Sequence, residues 1–281
     1  MDIRILDEKL ENWILEQKLS EYAPKTLIDY KHAVKLFINY LKENDLTNID
    51  KNTLLKYKEY LYDNFSLNTR NKYIVVLNKF LRYNNHPELT LKKFKTQKKS
   101  SLNDPISDQE HKRMLRWSKR LEMDDMYYML KVFAYTGCRV NELRYFTVEN
   151  IKNNYIENVF NKGKERILIL RNDLKRELLA YCEEKKLKSG YIFVSPRNPE
   201  KMINESTIWR RLKKIAKAAK INSNKIHPHA WRHLFAKAAK EAGISLEELQ
   251  DIFGHNDIRT TAIYTRTSNR EKKDKLEKIK Y

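Results

Sequence analysis

Five residues of this chain have side chains that suit chemistry at a phosphodiester. His229 and Arg232 lie three positions apart, His255 and Tyr264 follow them, and Arg139 lies far upstream. Arginine is permanently charged and can hold phosphate oxygens with two parallel hydrogen bonds. Histidine can donate or accept a proton, and a tyrosine hydroxyl can attack phosphorus to give a covalent intermediate. These residue types predict cleavage of a phosphodiester without a metal ion.

The spacing of the residues suggests how the work is divided. Positions 229 and 232 share one face of a helix, so His229 and Arg232 can act on the same group. The hydroxyl of Tyr264 has an ordinary pKa of about 10, so attack by its phenolate requires a dense positive field. The leaving oxygen must receive a proton, and Lys162 and Lys164 are both chemically suited to supply it.

The other histidines and the cysteines are expected to be structural. His233 is predicted to be a core histidine or to support its neighbours, and Cys138 to be a small packing residue. The remaining histidines are predicted to lie in a loop (His227) or at the surface (His32, His86 and His111).

The first part of the chain, residues 1–91, carries apolar residues at helical spacing and predicts four or five helices. Pro24 suits the first turn of the second helix. Asp50 and Asn68 are predicted to cap the third and fourth helices.

Residues 92–105 lose this apolar pattern and gain lysines, which predicts a basic linker beside a DNA backbone, although a solvated charge run is an equally good interpretation. The candidate DNA contacts there are Lys92, Lys93, Lys95, Lys98 and Lys99.

The second domain is predicted to span residues 106–281 and to open with a capping box at Ser107 and Glu110. Residues 155–160 and 166–170 predict a hairpin with a basic tip, to which residues 192–194 can add a third strand. Helices are predicted at 173–186, 206–220, 229–242, 246–253 and 257–265. The 206–220 helix is strongly basic, so Arg210 and Arg211 are further candidate DNA contacts, as is Lys164 at the tip of the hairpin. The predicted fold class is mainly α with a small β-sheet.

Composition limits the classes of function. The formal net charge of +20 over 281 residues favours a polyanionic partner, with nucleic acid first. Two distant cysteines suit a reducing cytoplasm and exclude a disulfide framework. No apolar run approaches the length of a membrane span, and the acidic N-terminus is unlike a signal peptide or an anchor. The five glycines form no nucleotide-binding loop.

Taken in order, several motifs resemble the tyrosine recombinases, the family of phage integrases and Xer-type enzymes. They are Thr-Gly-Cys-Arg-Val-Asn-Glu-Leu from residue 136, Asn-Lys-Gly-Lys-Glu-Arg from 161, His-Pro-His-Ala-Trp-Arg-His from 227, Phe-Gly-His from 253 and Thr-Thr-Ala-Ile-Tyr-Thr from 260. Residues 20–90 also resemble the helical core-binding domain of that family. The resemblance makes Arg139, Lys162, His229, Arg232, His255 and Tyr264 the catalytic set, with Tyr264 as nucleophile and Lys164 as the less favoured acid.

The resemblance implies more than a set of residues. It implies a C-shaped clamp around double-stranded DNA with inverted-repeat sites, a homo-tetramer on paired sites formed from monomers in solution, and strand exchange through a four-way junction. It implies no cofactor or metal, and a cytoplasmic, nucleoid-associated enzyme. Residues 266–281 suit either a helix donated to a neighbouring protomer or a solvated tail. Dimer resolution and integration or excision of a mobile element both stay open.

Two other classes deserve comparison. Residues 238–249 resemble a helix-turn-helix, which would suit a non-catalytic DNA-binding regulator. That hypothesis leaves Arg139, Arg232 and Tyr264 without a joint explanation. A type IB topoisomerase would share the chemistry but would relax supercoils without pairing two sites.

Overall fold

The computed structural model describes residues 5–95, 106–161, 164–264, 273 and 276–279. The chain divides into two compact units, Met1–Lys98 and Lys99–Tyr281. Helices dominate both units, and the strands in the described residues form two small antiparallel sheets. The predicted fold class, mainly α with a small amount of β, is confirmed. Among these residues we find no helix with the length and apolar character that a membrane crossing requires.

The first unit is a bundle of four α-helices around its own apolar core. Pro24 is the first residue of the second helix, as predicted, and Asp50 caps the third by accepting from the Thr53 amide at 2.7 Å. The prediction that Asn68 caps the fourth helix is wrong, because the extended backbone of Ser66 already leads into a helix that begins at Leu67. The helices are α1 (Leu6–Leu19), α2 (Pro24–Glu43), α3 (Lys51–Asn64) and α4 (Leu67–Tyr83), followed by a 3-10 helix at Pro87–Leu89.

Two asparagines of α4 hold the chain that leaves this bundle. Asn78 donates to the Leu91 carbonyl and accepts from the Leu91 amide, both at 2.8 Å. Asn71 makes the same pair of bonds with Phe94, at 3.1 and 2.8 Å. The first residues after position 91 are therefore fastened to the first unit by their backbone, while the side chains of Lys92 and Lys93 are exposed.

The second unit has a larger core, built from helices and the strands of a hairpin. Its α-helices are α5 (Asp108–Arg120), α6 (Asp124–Thr136), α7 (Asn172–Glu184), α8 (Glu205–Ala218), α9 (Pro228–Glu241), α10 (Leu246–Phe253) and α11 (Ile258–Ala262). Its strands are β1 (Tyr155–Asn161), β2 (Lys164–Ile169), β3 (Val194–Ser195) and β4 (Asn198–Met202), and short 3-10 helices occur at Val140–Tyr145, Asn150–Lys152 and Ser223–Lys225. The capping box of Ser107 and Glu110 is present at the start of α5, as predicted.

The predicted third strand does not join the hairpin. β1 and β2 pair only with each other among the described strands, and Val194 begins a separate two-stranded sheet with β4. Ile192 and Phe193 are 1% and 0% exposed, because their side chains pack in the core instead. The apolar pattern at 192–194 reflects burial in the core and not a place beside the hairpin.

The segment that resembles a helix-turn-helix consists of the end of α9, a turn and α10. Gly243 lies in the turn with a φ of +88°, and Ser245 caps α10 with Glu248 in a capping box. A third, separate apolar cluster joins these two helices through Ala236, Leu249 and Phe253. The motif therefore fixes α10 on α9, which places the C-terminus of α10 beside Arg232.

Candidate active site

Arg232 lies at the centre of the candidate site. It belongs to α9, is 1% exposed, and donates to the carbonyls of Gly137 and Phe253, the latter at 3.0 Å. Its guanidinium carbon lies 3.6 Å from the centroid of the Phe253 ring. Burial, with the charges of Arg139 and Arg166, lowers the pKa of Arg232 to about 9, which still leaves it charged at neutral pH. A buried cation beside two others favours an anionic ligand.

Gly137, at the end of α6, allows the backbone to pass close to the side chains that surround Arg232. It ends the helix in the left-handed region with a φ of +58°, and a Cβ there would lie 2.7 Å from Phe235 and 2.8 Å from Phe253. Glycine is therefore required both by the backbone and by the packing. The turn that it makes carries the chain directly into Arg139 at the start of the 3-10 helix.

Arg139 is held by Glu142 in the next turn of the chain. The Glu142 carboxylate accepts from the Arg139 amide at 2.7 Å and from its Nη1 at 3.0 Å. The Arg139 side chain stays 24% exposed, so its other donors can reach a ligand, while Glu142 is fully buried. The sequence did not single out Glu142, although its position three residues after an arginine at a helix start is a recognisable signal.

Arg166 of β2 is a second residue that the sequence predictions missed. It donates to both carboxylate oxygens of Glu142 and to the carbonyl of Ile252 at the end of α10. Burial alone would raise the pKa of Glu142, but the charge and hydrogen bonds of Arg166 and Arg139 lower it to about 2. Arg139, Arg166 and Arg232 bring three positive charges, of which the Glu142 carboxylate balances one.

The C-terminus of α10 thus meets two guanidiniums. Its last carbonyls have no partner inside the helix and carry the negative end of the helix dipole. Arg166 donates a hydrogen bond to the carbonyl of Ile252, and Arg232 donates one to the carbonyl of Phe253. Gly254 then turns the chain with a φ of +61°, which brings His255 into the site.

His255 contacts Arg232 and has a defined tautomer. Arg232 Nη2 lies 3.1 Å from His255 Nε2, and His255 Nδ1 lies 2.8 Å from the hydroxyl of Thr261. Because a guanidinium can only donate, Nε2 accepts and Nδ1 carries the proton that the Thr261 oxygen accepts. These two hydrogen bonds fix the orientation of the His255 ring beside α11, the helix that precedes Tyr264.

Tyr264 completes the group at the end of α11. Its ring centroid lies 5.5 Å from the guanidinium carbon of Arg232 and 5.9 Å from the His255 ring, in a stacked arrangement. The structure therefore brings Arg139, Arg232, His255 and Tyr264 into one cluster, joined by Glu142 and Arg166.

The other candidate catalytic residues are His229 and the two lysines Lys162 and Lys164. His229 is exposed in the first turn of α9, one turn before Arg232. Lys162 lies outside the described residues. Lys164 is the first residue of β2, directly after the hairpin tip.

The candidate DNA contacts fall into three groups. Lys92, Lys93, Lys95 and Arg210 are exposed. Lys98 and Lys99 lie outside the described residues. Arg211 forms a two-pronged ion pair with Asp125 of α6, which links α8 to α6, and its contact with DNA stays a prediction.

The histidines with no predicted role also have defined positions. The prediction that His111 lies at the surface is wrong: it is 4% exposed and accepts a 2.9 Å hydrogen bond from the Trp231 indole, because α5 packs against α9 there. His227 is the residue before α9 and stacks on Trp209.

Cys138 is buried, and burial raises the pKa of its thiol to about 12, as suits a packing residue. Within the described part of the chain, no cluster of three or more histidine, cysteine or acidic residues is placed to hold a metal ion.

Comparison with known proteins gives a consistent result. Residues 104–271 match the Phage integrase family, and residues 15–88 match the Phage integrase N-terminal SAM-like domain. The chain is 27% identical over 293 aligned positions to a tyrosine recombinase of Pseudothermotoga lettingae, which covers 98% of both chains. It is 29% identical to tyrosine recombinase XerA of Pyrococcus horikoshii, over 64% of this chain and 62% of that one.

The fold is similar to that of the XerH recombinase in a structure bound to its palindromic difH substrate after cleavage. The TM-score is 0.72 at 20% identity, covering 96% of this chain and 83% of that one. The family match alone spans more than half of the sequence. The chain therefore belongs to the phage integrase family of tyrosine recombinases, enzymes of site-specific recombination that cleave and rejoin DNA.

Proposed function

We propose that Tyr264 is the nucleophile of DNA cleavage. Its oxygen forms a bond to the phosphorus of one strand, the bond from phosphorus to the 5′-oxygen breaks, and a 3′-phosphotyrosyl intermediate results. The observation that carries this proposal is the placement of Tyr264 beside Arg232 and His255. Attack by a 5′-hydroxyl on the same phosphorus reverses the step and returns the bond to DNA.

The arginines and histidines would receive the scissile phosphate. Arg139 has free surface on its guanidinium, and Arg232 stands behind it as a buried cation. Because these charges are already fixed in the protein, they stabilise the negative charge of the transition state without reorganisation. His229 is a further donor to the phosphate or the acceptor of the Tyr264 proton in this scheme. His255 becomes a donor to the phosphate when a proton on its Nε2 replaces the hydrogen bond that it accepts from Arg232.

The leaving 5′-oxygen needs a proton when its bond to phosphorus breaks. Lys162 on the hairpin is our candidate acid, and Lys164 at the start of β2 is the alternative on chemical grounds. A sulfur atom in place of that oxygen would leave without a proton, so it separates a defect in the acid from a defect in phosphate binding.

We assign the partner as double-stranded DNA with inverted-repeat sites. The net charge of +20 and the exposed lysines after α4 support a long basic contact with phosphates. The similar XerH structure contains a palindromic DNA substrate. The basic linker at 92–105 would connect the domain 1–91 to the catalytic domain 106–281 along the DNA.

The proposal extends to a tetramer on paired sites, assembled from monomers, with strand exchange through a four-way junction. An apolar groove of about 790 Å³ between α6, β2 and α9 is suited to receive residues 266–281 of a neighbouring protomer. Ile167 and Ile169 face this groove, each about half exposed. Leu276 and Ile279 are the apolar residues of the donated segment, and both are exposed in the single chain.

For the biological role, both dimer resolution and the movement of a mobile element fit this chemistry. The Xer name of several relatives favours the first, and the similarity to a structure of the Tn1549 transposon integrase on transposon DNA favours the second. Either role would place the protein in the cytoplasm with the nucleoid. Because the two roles use different DNA sites, the target sequence decides between them.

Covalent capture tests the proposal. The protein is incubated with sheared DNA from its source, denatured in detergent, and the linked DNA is sequenced, with Tyr264→Phe in parallel. We expect an inverted-repeat site with the wild type alone, and its neighbouring genes identify the role. Equal capture by both proteins would show that Tyr264 is not the nucleophile. Relaxed circles in excess over recombinants would favour a topoisomerase activity.

A further inference from the structure

Arg166 joins three elements of the catalytic unit that are far apart in sequence. It starts from β2, pairs with Glu142 in the 3-10 helix, and donates to the Ile252 carbonyl at the end of α10. Its side chain is only 5% exposed, so the Glu142 carboxylate and the Ile252 carbonyl form their hydrogen bonds with Arg166 and not with water. The contact is close, because a Cβ on Gly254 would lie 3.0 Å from the Arg166 side chain.

Two of these three elements adjoin a residue of the candidate site. The 3-10 helix begins after Arg139, whose amide and guanidinium both donate to the same Glu142 carboxylate that Arg166 holds. The end of α10 leads through Gly254 into His255, which contacts Arg232. A movement of Glu142 would therefore shift Arg139, and a movement of the α10 terminus would shift His255.

We propose that Arg166 is a positioning residue for DNA cleavage, which holds Arg139 and His255 in the arrangement that receives the scissile phosphate. The inference rests on the proposed function of those two residues. Arg166 does not itself face the DNA, because both ends of its guanidinium are occupied by Glu142 and Ile252. Its contribution is to geometry, and misplacement of a charge-stabilising group lowers the rate of the chemical step more than the affinity for substrate.

A charge-specific experiment separates this role from general stabilisation. The site recovered by covalent capture is made as a nicked duplex, with either an ordinary phosphodiester or a neutral methylphosphonate at the cleaved position. The methylphosphonate lacks one negative oxygen, so its cleavage depends less on well-placed cations. Single-turnover rates of covalent complex formation and DNA affinities are measured for wild type, Arg166→Met and Lys131→Met.

Lys131→Met is the matched control, because Lys131 also forms a largely buried ion pair in the same unit, with Glu177 of α7. We expect Arg166→Met to cleave the ordinary linkage about 100-fold more slowly than wild type, with DNA affinity within a few-fold, as for a displaced catalytic group. On the methylphosphonate the deficit should fall to about tenfold or less. The deficit of Lys131→Met relative to wild type should be the same on both linkages.

The inference is overturned if Arg166→Met cleaves the ordinary linkage as fast as Lys131→Met, or if its deficit is equal on both linkages. Should Arg166→Met fail to fold, as judged by melting and DNA binding, Arg166→Lys takes its place. That variant keeps a charge opposite Glu142 but cannot bridge to Ile252, so we expect a smaller deficit with the same dependence on linkage. Absence of covalent product from the wild type would instead refute the proposed function.

Discussion

The ring of His233 packs against the ring of Tyr264, with centroids 4.5 Å apart, and a hydrogen bond joins His233 to the Tyr264 backbone. Burial lowers the pKa of His233 to about 4, so the ring is neutral at physiological pH. Its Nδ1 is buried without a hydrogen-bond partner, so the bond to Tyr264 uses the proton on Nε2. His233 therefore holds the backbone of the proposed nucleophile from the helix that carries Arg232.

From this contact we predict that His233→Phe slows the formation of the covalent complex while leaving DNA binding intact. Phenylalanine keeps the ring packing but loses the donor, so the rate should fall about tenfold, the equivalent of one hydrogen bond. His233→Gln places an amide donor near the position of Nε2 and should recover most of the rate. Single-turnover cleavage of a nicked target site is the measurement.

An external nucleophile supplies the control for this prediction. In the Tyr264→Phe background, peroxide can replace the tyrosine and cleave the strand by using the phosphate-binding groups alone. If His233 acts through Tyr264, adding His233→Phe should leave this peroxide cleavage unchanged. A parallel loss in both assays would contradict the idea, because it would mean that His233 supports the phosphate-binding groups as well.

The sequence was most informative where a local motif fixes both the residue and its element. The predicted capping box of Ser107 and Glu110 starts α5, and the helix predicted at 229–242, which carries Arg232, spans Pro228–Glu241. These positions depend on short-range rules of helix capping and spacing, which a single sequence displays.

The missed residues depend on contacts between distant parts of the chain. Arg166 occupies an inward position of β2, in register with the buried Leu168 and Leu170, while Ile167 and Ile169 face outward. Strand alternation alone leaves the placement open, because leucines share the face of Arg166 and isoleucines occupy the other face, and an arginine is usually assigned to solvent. The inward arginine is stable only because Glu142 and the α10 terminus meet it, and neither partner can be located from β2 itself. His111 was misplaced for the same reason, since its partner Trp231 is distant in sequence.

A substitution at Gly254 should disturb the site through Arg166. Alanine there would adopt a φ of +61°, which costs about 1 kcal/mol or more, and its Cβ would approach the Arg166 side chain at 3.0 to 3.2 Å. Because Arg166 has little room to yield, we expect Gly254→Ala to lower both the melting temperature and the cleavage rate.

Gly243→Ala is the matched comparison, since Gly243 also has a positive φ but has no atom within 4 Å of an added Cβ. It should lower the melting temperature by a similar backbone contribution, about 1 kcal/mol, without affecting cleavage. Equal cleavage rates for the two variants would show that the contact between Gly254 and Arg166 has no influence on the site.

The buried carboxylate of Glu142 predicts a dependence of stability on acid pH. Its pKa of about 2 lies below the ordinary value of 4.5, so the folded state is favoured where the carboxyl is ionised. This contribution is fully present above about pH 5, amounts to about 3 kcal/mol, and is lost as the pH falls from 4.5 towards 2. In urea titrations, Glu142→Gln should be less stable than wild type at neutral pH. The gap should narrow only below about pH 4.5, and a gap that is constant across this range would be inconsistent with an ionised Glu142.

His111 predicts a second loss of stability in a different pH range. Burial lowers its pKa from 6.5 to about 4, so the unfolded chain takes up a proton between these values and the folded chain does not. The contribution of neutral His111 to the unfolding free energy is therefore full above about pH 6.5. It decreases by up to about 3 kcal/mol as the pH falls to 4. His111→Asn keeps an acceptor for the Trp231 indole but cannot be protonated, so the unfolding free energy of this variant should vary less between about pH 7 and 4. His32→Asn, at an exposed histidine of the first unit, is the comparison. If both variants retain the wild-type slope, another group is responsible for it.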